Sequence, residues 1–470
     1  MMLRERCNYV ARVLGATALG TAMILMSVSA QPTQAQDATP TPHWVGAWFA
    51  SSQARVDPST APAAAAPAQT VPTSPSGQTP LVIPPAVLAV APNQELKVGG
   101  QSALHVHNQT LRQIAHITLG GPRIRVVLSN TFGTVPLAIG AAQVALRDKN
   151  ATIMPQSNRV LTFGGAANTS VPPGSILVSD PVNLVVPDFS DLAIDLYLPD
   201  DTAAMKSPLT THAAAWQTGY VSPPGNFAGV VTLPVETTTA YRRGDGLPTA
   251  TWFFLTRIEV MAPAESGAIV AIGDSITDGT ASGIDTNNRW PDHLARLLSS
   301  KGMRMAVLNA GIGGNRVLNE GNGPSALQRF DRDVIAQPGV THVIVFEGIN
   351  DIGQARQNAS PSAADLIAAH KQMIERAHAR GLRIFGGTLT PFEGASAWTA
   401  EGEVKRQALN EWMRTSRAYD AFFDFDAAVR DPKEPTKALG RYDSGDHLHF
   451  NAAGYEALAQ AIDLKAFKIR

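Results

Sequence analysis

The chain has 470 residues, of which 44% are hydrophobic and 16% are charged, and its formal net charge is -1. At roughly 100–200 residues per domain, this length predicts two or three domains, and the composition is that of a globular protein with a large core. The nearly neutral charge argues against nucleic acid or an anionic membrane surface as the main partner.

The N-terminus has the pattern of a targeting segment. Three arginines precede an apolar run over residues 13–28, and residues 28–30 supply small side chains for cleavage. A membrane anchor is the alternative, because about 16 apolar residues approach the short limit for a span. The basic start and the cleavage site favour a signal peptide over residues 1–30 and therefore an exported, periplasmic or extracellular protein. After its removal we expect no integral membrane segment.

The only cysteine, Cys7, lies inside this predicted signal peptide. The mature protein would therefore contain neither a disulfide nor a reactive thiol. Residues 31–42 are polar and predict a flexible leader, and residues 43–50 predict a strand. An Ala/Pro-rich insertion at about 55–80 has too few large apolar side chains to pack and is predicted to be disordered.

From residue 43 to residue 262 the sequence predicts a β-rich domain. Short alternating segments, such as residues 192–198 and 251–260, are separated by clusters of Gly, Pro, Asn and Asp, which favours an antiparallel β-sandwich. Residues 113–119 and 123–129 flank Gly-Gly-Pro, and this spacing predicts a hairpin between the two segments.

From residue 267 to residue 470 the pattern changes to alternating strands and helices. The predicted strands are residues 268–272, 303–308, 342–346, 382–386 and 421–425. The predicted helices are residues 290–300, 325–335, 361–380, 401–419 and 452–463. This alternation predicts an α/β domain with a parallel sheet covered by helices on both faces. For the third helix we expect Ser360 as N-cap, Pro361 at the first position and Gly381 just past the end.

A serine follows the first strand of this predicted domain. Four apolar residues lead into Gly273, Asp274 and Ser275, so the serine stands at the carboxyl end of a buried strand. Ligands bind at that end of strands in open α/β sheets. A serine hydroxyl becomes a useful nucleophile only when a base activates it.

Two further motifs follow the next two strands. The segment from Asn309 to Asn315 contains three glycines, whose backbone N–H groups can approach a ligand closely. The segment from Gly348 to Asp351 contains Asn350, whose amide can donate to a developing oxyanion. Each motif taken alone is equally typical of an ordinary turn.

A late loop supplies the remaining groups. Asp446 and His449 are three residues apart, so the carboxylate could orient the imidazole while its other nitrogen faces Ser275. His447 competes for this role, but the spacing favours His449. Together, in this order and at successive strand ends, the four motifs predict one site.

These motifs resemble those of the SGNH hydrolase family, also called GDSL esterases and lipases. The resemblance covers residues 267–470 and implies a flavodoxin-like α/β/α fold. It also implies Ser275 as nucleophile, with Asp446 and His449 as the other members of its triad. The implied oxyanion hole consists of the Ser275 N–H, the Gly314 N–H and the Asn350 side chain, and the family needs neither a metal nor a cofactor.

The β-rich region has a second resemblance. Residues 44–48, 108–112 and 128–133 resemble the N-terminal domain of a two-domain branch related to xylan-associated acetylesterases. This resemblance implies a carbohydrate-ester setting. Together with the predicted export, it leads us to expect an exported esterase that acts on short acyl groups, acetyl above all, of a small-molecule or polysaccharide ester. A lipase or arylesterase with longer acyl preference and a non-catalytic carbohydrate-binding protein on the same fold are the alternatives.

Other residues have structural interpretations that are at least as good as functional ones. His105 and His107 could suggest a metal, but no acidic or cysteine partner accompanies them. Phe392 and Trp398 follow the fourth strand and could line the substrate pocket or belong to the core. Asp278 and Asp351 are expected to be structural hydrogen-bond acceptors.

Overall fold

The computed structural model describes residues 41–55, 105–242, 248–353 and 360–468. The predicted signal peptide with Cys7, the leader before residue 41 and nearly all of the predicted insertion lie outside the described residues. Within the described ranges no helix combines the length and the apolar character needed to cross a membrane.

The region before residue 263 consists almost entirely of strands. Within the described residues they are β1 His43–Phe49, β2 Gln53–Arg55, β3 Gln109–His116, β4 Gly121–Ser129, β5 Leu137–Ile139, β6 Ala141–Lys149, β7 Thr152–Ile153, β8 Arg159–Val160, β9 Thr169–Val171, β10 Ile176–Val178, β11 Val182–Val186, β12 Asp191–Leu198, β13 Leu209–His212, β14 Tyr220–Pro224, β15 Thr237–Thr238, β16 Tyr241–Arg242, β17 Pro248–Thr249, β18 Trp252–Phe253 and β19 Leu255–Ala262. One 3₁₀ turn, Pro155–Ser157, interrupts them.

Two antiparallel sheets contain the long strands. One has the order β1-β19-β4-β10, with β11 also paired to β4, and the other has the order β15-β14-β3-β12-β6-β7, with β8 paired to β6. The strands β18, β13 and β2 form a third, three-stranded sheet in that order. The predicted antiparallel, β-rich fold of this region is confirmed.

The predicted hairpin is wrong. β3 pairs with β12 and β14, whereas β4 pairs with β19, β10 and β11, so the two strands belong to different sheets. The connection crosses between the sheets, because Ile117 N donates to Ser190 O and Thr118 N donates to Ala47 O. A glycine-rich turn of this length permits either outcome, and the choice depends on partners far away in the sequence.

The second region is a parallel α/β domain, as predicted. Its strands are β20 Gly267–Gly273, β21 Met305–Gly311, β22 Val340–Phe346, β23 Arg383–Gly387 and β24 Ala421–Phe423. Its helices are α1 Ser275–Asp278, α2 Trp290–Ser300, α3 Ala326–Phe330, α4 Ile349–Gly353, α5 Ala363–His378, α6 Ala400–Thr415, α7 Phe425–Val429 and α8 Ala452–Gln460. A π-helical turn, Asp331–Ile335, continues α3, and a 3₁₀ turn, Leu464–Phe467, follows α8.

The sheet order is β21-β20-β22-β23-β24, and every pairing is parallel. This is the flavodoxin-like order, in which the chain reverses direction next to the first strand. All seven residues of β20 are buried, because helices cover both faces of a parallel sheet. The carboxyl ends of β20, β21 and β22 therefore meet at one edge.

The start of α5 differs from its prediction. Ser362, not Ser360, is the N-cap, and its hydroxyl accepts from Asp365 N while the Asp365 carboxylate accepts from Ser362 N. This reciprocal capping box requires an acidic or amide side chain three residues after the cap, which Ser360 does not have. Ser360 instead donates its hydroxyl to Asp351 O.

β1 contacts both regions. It pairs with β19, and Gly46 N donates to Pro338 O at 2.9 Å in the α/β domain. A Cβ at Gly46 would lie 2.9 Å from a methyl carbon of Leu308 in β21, so a larger residue there would have to displace the Leu308 side chain. The Thr118 hydroxyl also accepts from Val307 N at 3.0 Å.

Candidate active site

The chain turns sharply where β20 ends. Gly273 is its last residue, Asp274 caps the short helix α1 by accepting from Ile276 N at 2.8 Å, and Ser275 is the first helical residue. A Cβ at Gly273 would lie 2.2 Å from the Thr277 hydroxyl, so the turn requires glycine there. This geometry presents the Ser275 side chain at the carboxyl edge of the sheet.

The predicted serine, histidine and aspartate are hydrogen-bonded in series. Ser275 Oγ lies 2.7 Å from His449 Nε2, and His449 Nδ1 lies 2.5 Å from Asp446 Oδ2. The turn is fixed by the other carboxylate oxygen, which accepts from His449 N at 2.8 Å and Leu448 N at 3.0 Å. The hydrogen bond between Ser275 and His449 joins residues that are 174 positions apart.

The electrostatics of the turn keep Asp446 ionised. Partial burial opposes ionisation, but hydrogen bonds from the His449 ring and from two backbone N–H groups lower the pKa of Asp446 well below its usual range. An ionised carboxylate beside Nδ1 holds the imidazole proton on that atom. The lone pair of Nε2 then faces the Ser275 hydroxyl.

The glycine loop (residues 311–315) lies beside the serine. Gly313 N donates to Asp278 Oδ2 at 2.9 Å, so this N–H is already used. Within the described part of the chain, Gly314 N forms no hydrogen bond, and Gly314 has φ +74°, a conformation that favours glycine. Asn350 donates one amide hydrogen to Asn315 O at 2.9 Å and retains a second.

The remaining candidates lie apart from this series. His447 Nδ1 is 2.6 Å from Asp443 Oδ2, and its side chain is 56% exposed, so it does not face Ser275. His105 contacts the Thr202 hydroxyl, and no cluster of metal-ligating side chains occurs in the described ranges. Phe392 is fully buried in the hydrophobic core, and the partly exposed Trp398 packs against this core.

Three buried carboxyl groups surround the start of α1 and α4. Burial raises the pKa of Asp274 to about 7 and that of Asp351 to about 6, and it raises the pKa of Glu347 well above its usual range. Asp351 accepts from Val317 N and Leu318 N, as expected of a structural acceptor. Glu347 accepts only from Gly348 N, and its Oε2 atom lacks a partner among the described residues.

Comparison with protein families adds a match over this part of the chain. Residues 271–457 match the model of the GDSL-like lipase/acylhydrolase family. The chain carries a GDSL-like lipase/acylhydrolase domain. The predicted membership of the SGNH family is thereby confirmed for the α/β region.

Solved structures similar to this chain include three bacterial proteins. The first is a carbohydrate acetylesterase family member from Sinorhizobium meliloti, with 16% identity over 42% of this chain and 94% of that chain and a TM-score of 0.33. A catalytic mutant of an acetylxylan esterase from Geobacillus stearothermophilus has 21% identity over 42% and 91%, with a TM-score of 0.33. The lipase/acylhydrolase from Enterococcus faecalis has 21% identity over 42% and 92%, with a TM-score of 0.33. The curated proteins include no match.

The sequence did not predict the buried arginine that supports the GDSL-like domain. Arg329 donates from Nη2 to Gly273 O at 2.9 Å and from Nη1 to Ala310 O at 2.6 Å, so it ties together the ends of β20 and β21. Nη1 also donates to Asp333 and to the Ser51 hydroxyl of the β-rich region. Nothing in the local sequence distinguishes Arg329 from a solvated helix residue, because its partners come from distant segments.

Proposed function

We propose that the protein hydrolyses carboxylic esters through an acyl-enzyme formed on Ser275. The observation that carries this proposal is the hydrogen-bonded series, 2.7 Å from Ser275 to His449 and 2.5 Å from His449 to Asp446. A nucleophile within reach of a base that is itself oriented by a carboxylate is the arrangement that acyl transfer requires.

In the proposed first step, Ser275 Oγ attacks the ester carbonyl carbon while His449 Nε2 takes the hydroxyl proton. The resulting imidazolium is stabilised by the ionised Asp446. When the tetrahedral intermediate collapses, His449 returns this proton to the leaving alcohol, which departs and leaves the acyl group on Ser275. Water, activated by the same base, then attacks the acyl carbonyl and releases the carboxylic acid.

The negative charge of the intermediate needs donors aimed at one point. We assign this role to Ser275 N, Gly314 N and the second amide hydrogen of Asn350, none of which is consumed by another hydrogen bond in the described residues. Fixed donors of this kind stabilise the transition state without reorganisation.

For the substrate we propose short acyl groups, acetyl above all, on a carbohydrate. The support is the resemblance of residues 44–48, 108–112 and 128–133 to a domain of xylan-associated acetylesterases. A series of 4-nitrophenyl esters from acetate to octanoate, together with acetate release from acetylated xylan, tests this. A preference for octanoate contradicts the acetyl proposal and favours a lipase or arylesterase.

The catalytic proposal is tested with Ser275→Ala. We expect 4-nitrophenyl acetate hydrolysis to fall by about 10⁴–10⁶-fold, because a nucleophile cannot be replaced by its neighbours. Ser282→Ala is a matched control, since Ser282 is also buried and its hydroxyl has no partner among the described residues. Equal hydrolysis by the wild type and Ser275→Ala, or none by either, would contradict the proposal. Polysaccharide binding without hydrolysis would favour a carbohydrate-binding protein.

We further propose that the protein is exported and loses residues 1–30. Cell fractionation and N-terminal sequencing of the mature protein test this. A cytoplasmic protein that retains Cys7 would contradict it.

A further inference from the structure

A histidine of the β-rich region contacts the first helix of the α/β domain. His212 is the last residue of β13, and its Nε2 lies 3.0 Å from Asp278 Oδ1 at the end of α1. Both side chains are only 4% exposed. The pair is therefore a buried link between the two regions, three residues from Ser275.

The orientation of the His212 ring is fixed from its other side. Nδ1 lies 2.9 Å from Ser51 O, and a carbonyl oxygen can only accept, so Nδ1 carries a proton. The ring also packs on Trp252, with 5.6 Å between centroids. Nε2 therefore faces Asp278 Oδ1, and because a carboxylate oxygen accepts, this contact is a hydrogen bond when Nε2 carries a proton as well.

Asp278 also binds the glycine loop. Its second carboxylate oxygen, Oδ2, accepts from Gly313 N at 2.9 Å. One carboxylate therefore joins the imidazole of the β-rich region to the backbone N–H that immediately precedes the proposed oxyanion donor Gly314.

A second connection reaches the same loop from β2. Gln53 accepts from Ala213 N at 3.0 Å and donates to Asn322 O, and the Asn322 amide donates to Gly313 O at 3.1 Å. The carbonyl of Gly313 and the N–H of Gly314 belong to one planar peptide unit. Holding that carbonyl therefore sets the direction in which Gly314 N–H points.

We propose that His212 is a positioning residue for the oxyanion hole, and that it acts through Asp278 on the backbone of Gly313 and Gly314. Together with Gln53, it makes the β-rich region part of the catalytic apparatus. The proposal rests on the proposed ester hydrolysis for its kinetic consequence, but its structural consequence is independent of any activity.

Kinetics with 4-nitrophenyl acetate give the first test. We expect His212→Ala to lower kcat by about 10–100-fold with little change in KM, because a donor displaced by about 1 Å loses transition-state stabilisation rather than ground-state binding. His212→Gln places an N–H donor near Asp278 and should recover part of the loss. His212→Asn is too short to reach Asp278 and should recover less.

A matched control is His116→Ala. Like His212, His116 contacts a carboxylate: its Nδ1 lies 2.7 Å from Asp191 Oδ1, but both residues belong to the β-rich region. Its removal should leave kcat unchanged, whereas a general weakening of the region would lower kcat in both variants.

Amide hydrogen exchange of the full-length protein gives the second test, which does not depend on catalysis. We expect His212→Ala to speed exchange in the peptide that covers residues 311–315, and His116→Ala to leave it unchanged. This measurement decides the proposal even if the wild type hydrolyses no ester, which would contradict the proposed function alone.

A double-variant comparison covers the case in which His212→Ala does not fold. Asp278→Asn keeps an oxygen that can accept from Gly313 N but removes the negative charge that faces His212, so kcat should fall. Adding His212→Gln to Asp278→Asn should then lower kcat little further, because the contact between the two side chains is already disturbed. Folded His212 variants with wild-type kcat and wild-type exchange at residues 311–315 would overturn the proposal. The proposal would also be overturned if the fold-losses in kcat of His212→Gln and Asp278→Asn multiplied in the double variant.

Discussion

The molecule contains a cluster of buried charged side chains in the β-rich region and another beside the candidate active site, and the charges of the two clusters are paired to different degrees. In the β-rich region Arg112 is fully buried and donates to both oxygens of Asp195 at 2.8 Å, and its three remaining hydrogens go to the carbonyls of Ala151, Val230 and Val231. Asp195 also accepts from Gly229 N. Every charge in this cluster has its partner.

Near the candidate active site, the buried carboxyl groups are not neutralised in this way. Burial raises the pKa of Asp274, Glu347 and Asp351, and one oxygen of Glu347 has no partner in the described residues. Fully paired charges are typical of a structural cluster, whereas shifted carboxyl pKa values in one place are typical of functional sites. The first cluster is therefore a paired structural network, whereas the second holds carboxyl groups with raised pKa values next to the hydrogen-bonded series of Ser275, His449 and Asp446.

The largest effect that sharpens this comparison is expected at Asp446. Asp446→Asn keeps an oxygen to accept from the backbone but removes the charge that stabilises the imidazolium. We expect kcat/KM for 4-nitrophenyl acetate to fall by about 10³–10⁴-fold. Thermal unfolding should change little, and a variant that keeps a tenth of wild-type activity would contradict the assigned role.

The next effect concerns stability alone. Asp195→Ala leaves the Arg112 guanidinium buried without its partner, which should cost about 3–5 kcal/mol of unfolding free energy in urea titrations. At a temperature where the variant remains folded, kcat should equal that of the wild type. Replacement of both side chains by apolar residues is the control, and it should restore most of the stability.

An intermediate effect is expected at Asn350. Asn350→Ala removes one proposed oxyanion donor, so kcat should fall by about 10²–10³-fold, or about 2.7–4 kcal/mol of barrier, with KM nearly unchanged. Asn130→Ala is the counterpart in the β-rich region, where the buried amide donates to Val135 O and Val171 O. It should lower stability without changing kcat. If the two variants behave alike, the division between the regions fails.

The smallest effect is expected at Glu347. Because burial raises its pKa in the folded protein, the unfolded chain releases this proton first, and unfolding free energy is lost as the pH rises above about 4.5. Glu347→Gln mimics the protonated form and removes this loss. The variant should therefore become increasingly more stable than the wild type in urea titrations as the pH rises from 5 to 8.

The informative quantity is the difference in unfolding free energy between Glu347→Gln and the wild type at each pH. Burial lowers the pKa of His342 and of His370 to about 4, and these groups act in the opposite direction, adding stability as the pH rises from 4 to about 6.5. Both histidines are present in both proteins, so their contribution cancels. A constant difference across this pH range would mean that Glu347 is ionised in the folded state.

The sequence predicted the α/β domain well because its information is local. Five apolar strand segments alternate with helical segments in the sequence, and strand ends in a parallel sheet meet at one edge. The strand ends that precede Ser275, Gly314 and Asn350 could thus be predicted from the sequence to lie at one edge of the sheet. The contact between Asp446 and His449 could also be predicted, because a spacing of three residues allows the two side chains to meet.

Other features depend on distant partners and left no local signal. The segment after β3 could form a hairpin or cross to another sheet, and the strands that decided between these lie far along the chain. His212 bonds to Asp278, 66 residues away, and Arg329 bonds to Ser51, 278 residues away. A histidine at a strand end and an arginine in a helix are ordinary until their neighbours are known.

The position of β1 has a consequence for synthesis of the chain. His43–Phe49 is made early, but its partner strand Leu255–Ala262 is made more than 200 residues later, directly before β20. Its contacts with Pro338 and Leu308 come later still. Because such distant contacts must await their partners, β1 has no strand partner until β19 has been made, and its contacts with the α/β domain form only after residues 308 and 338 have followed.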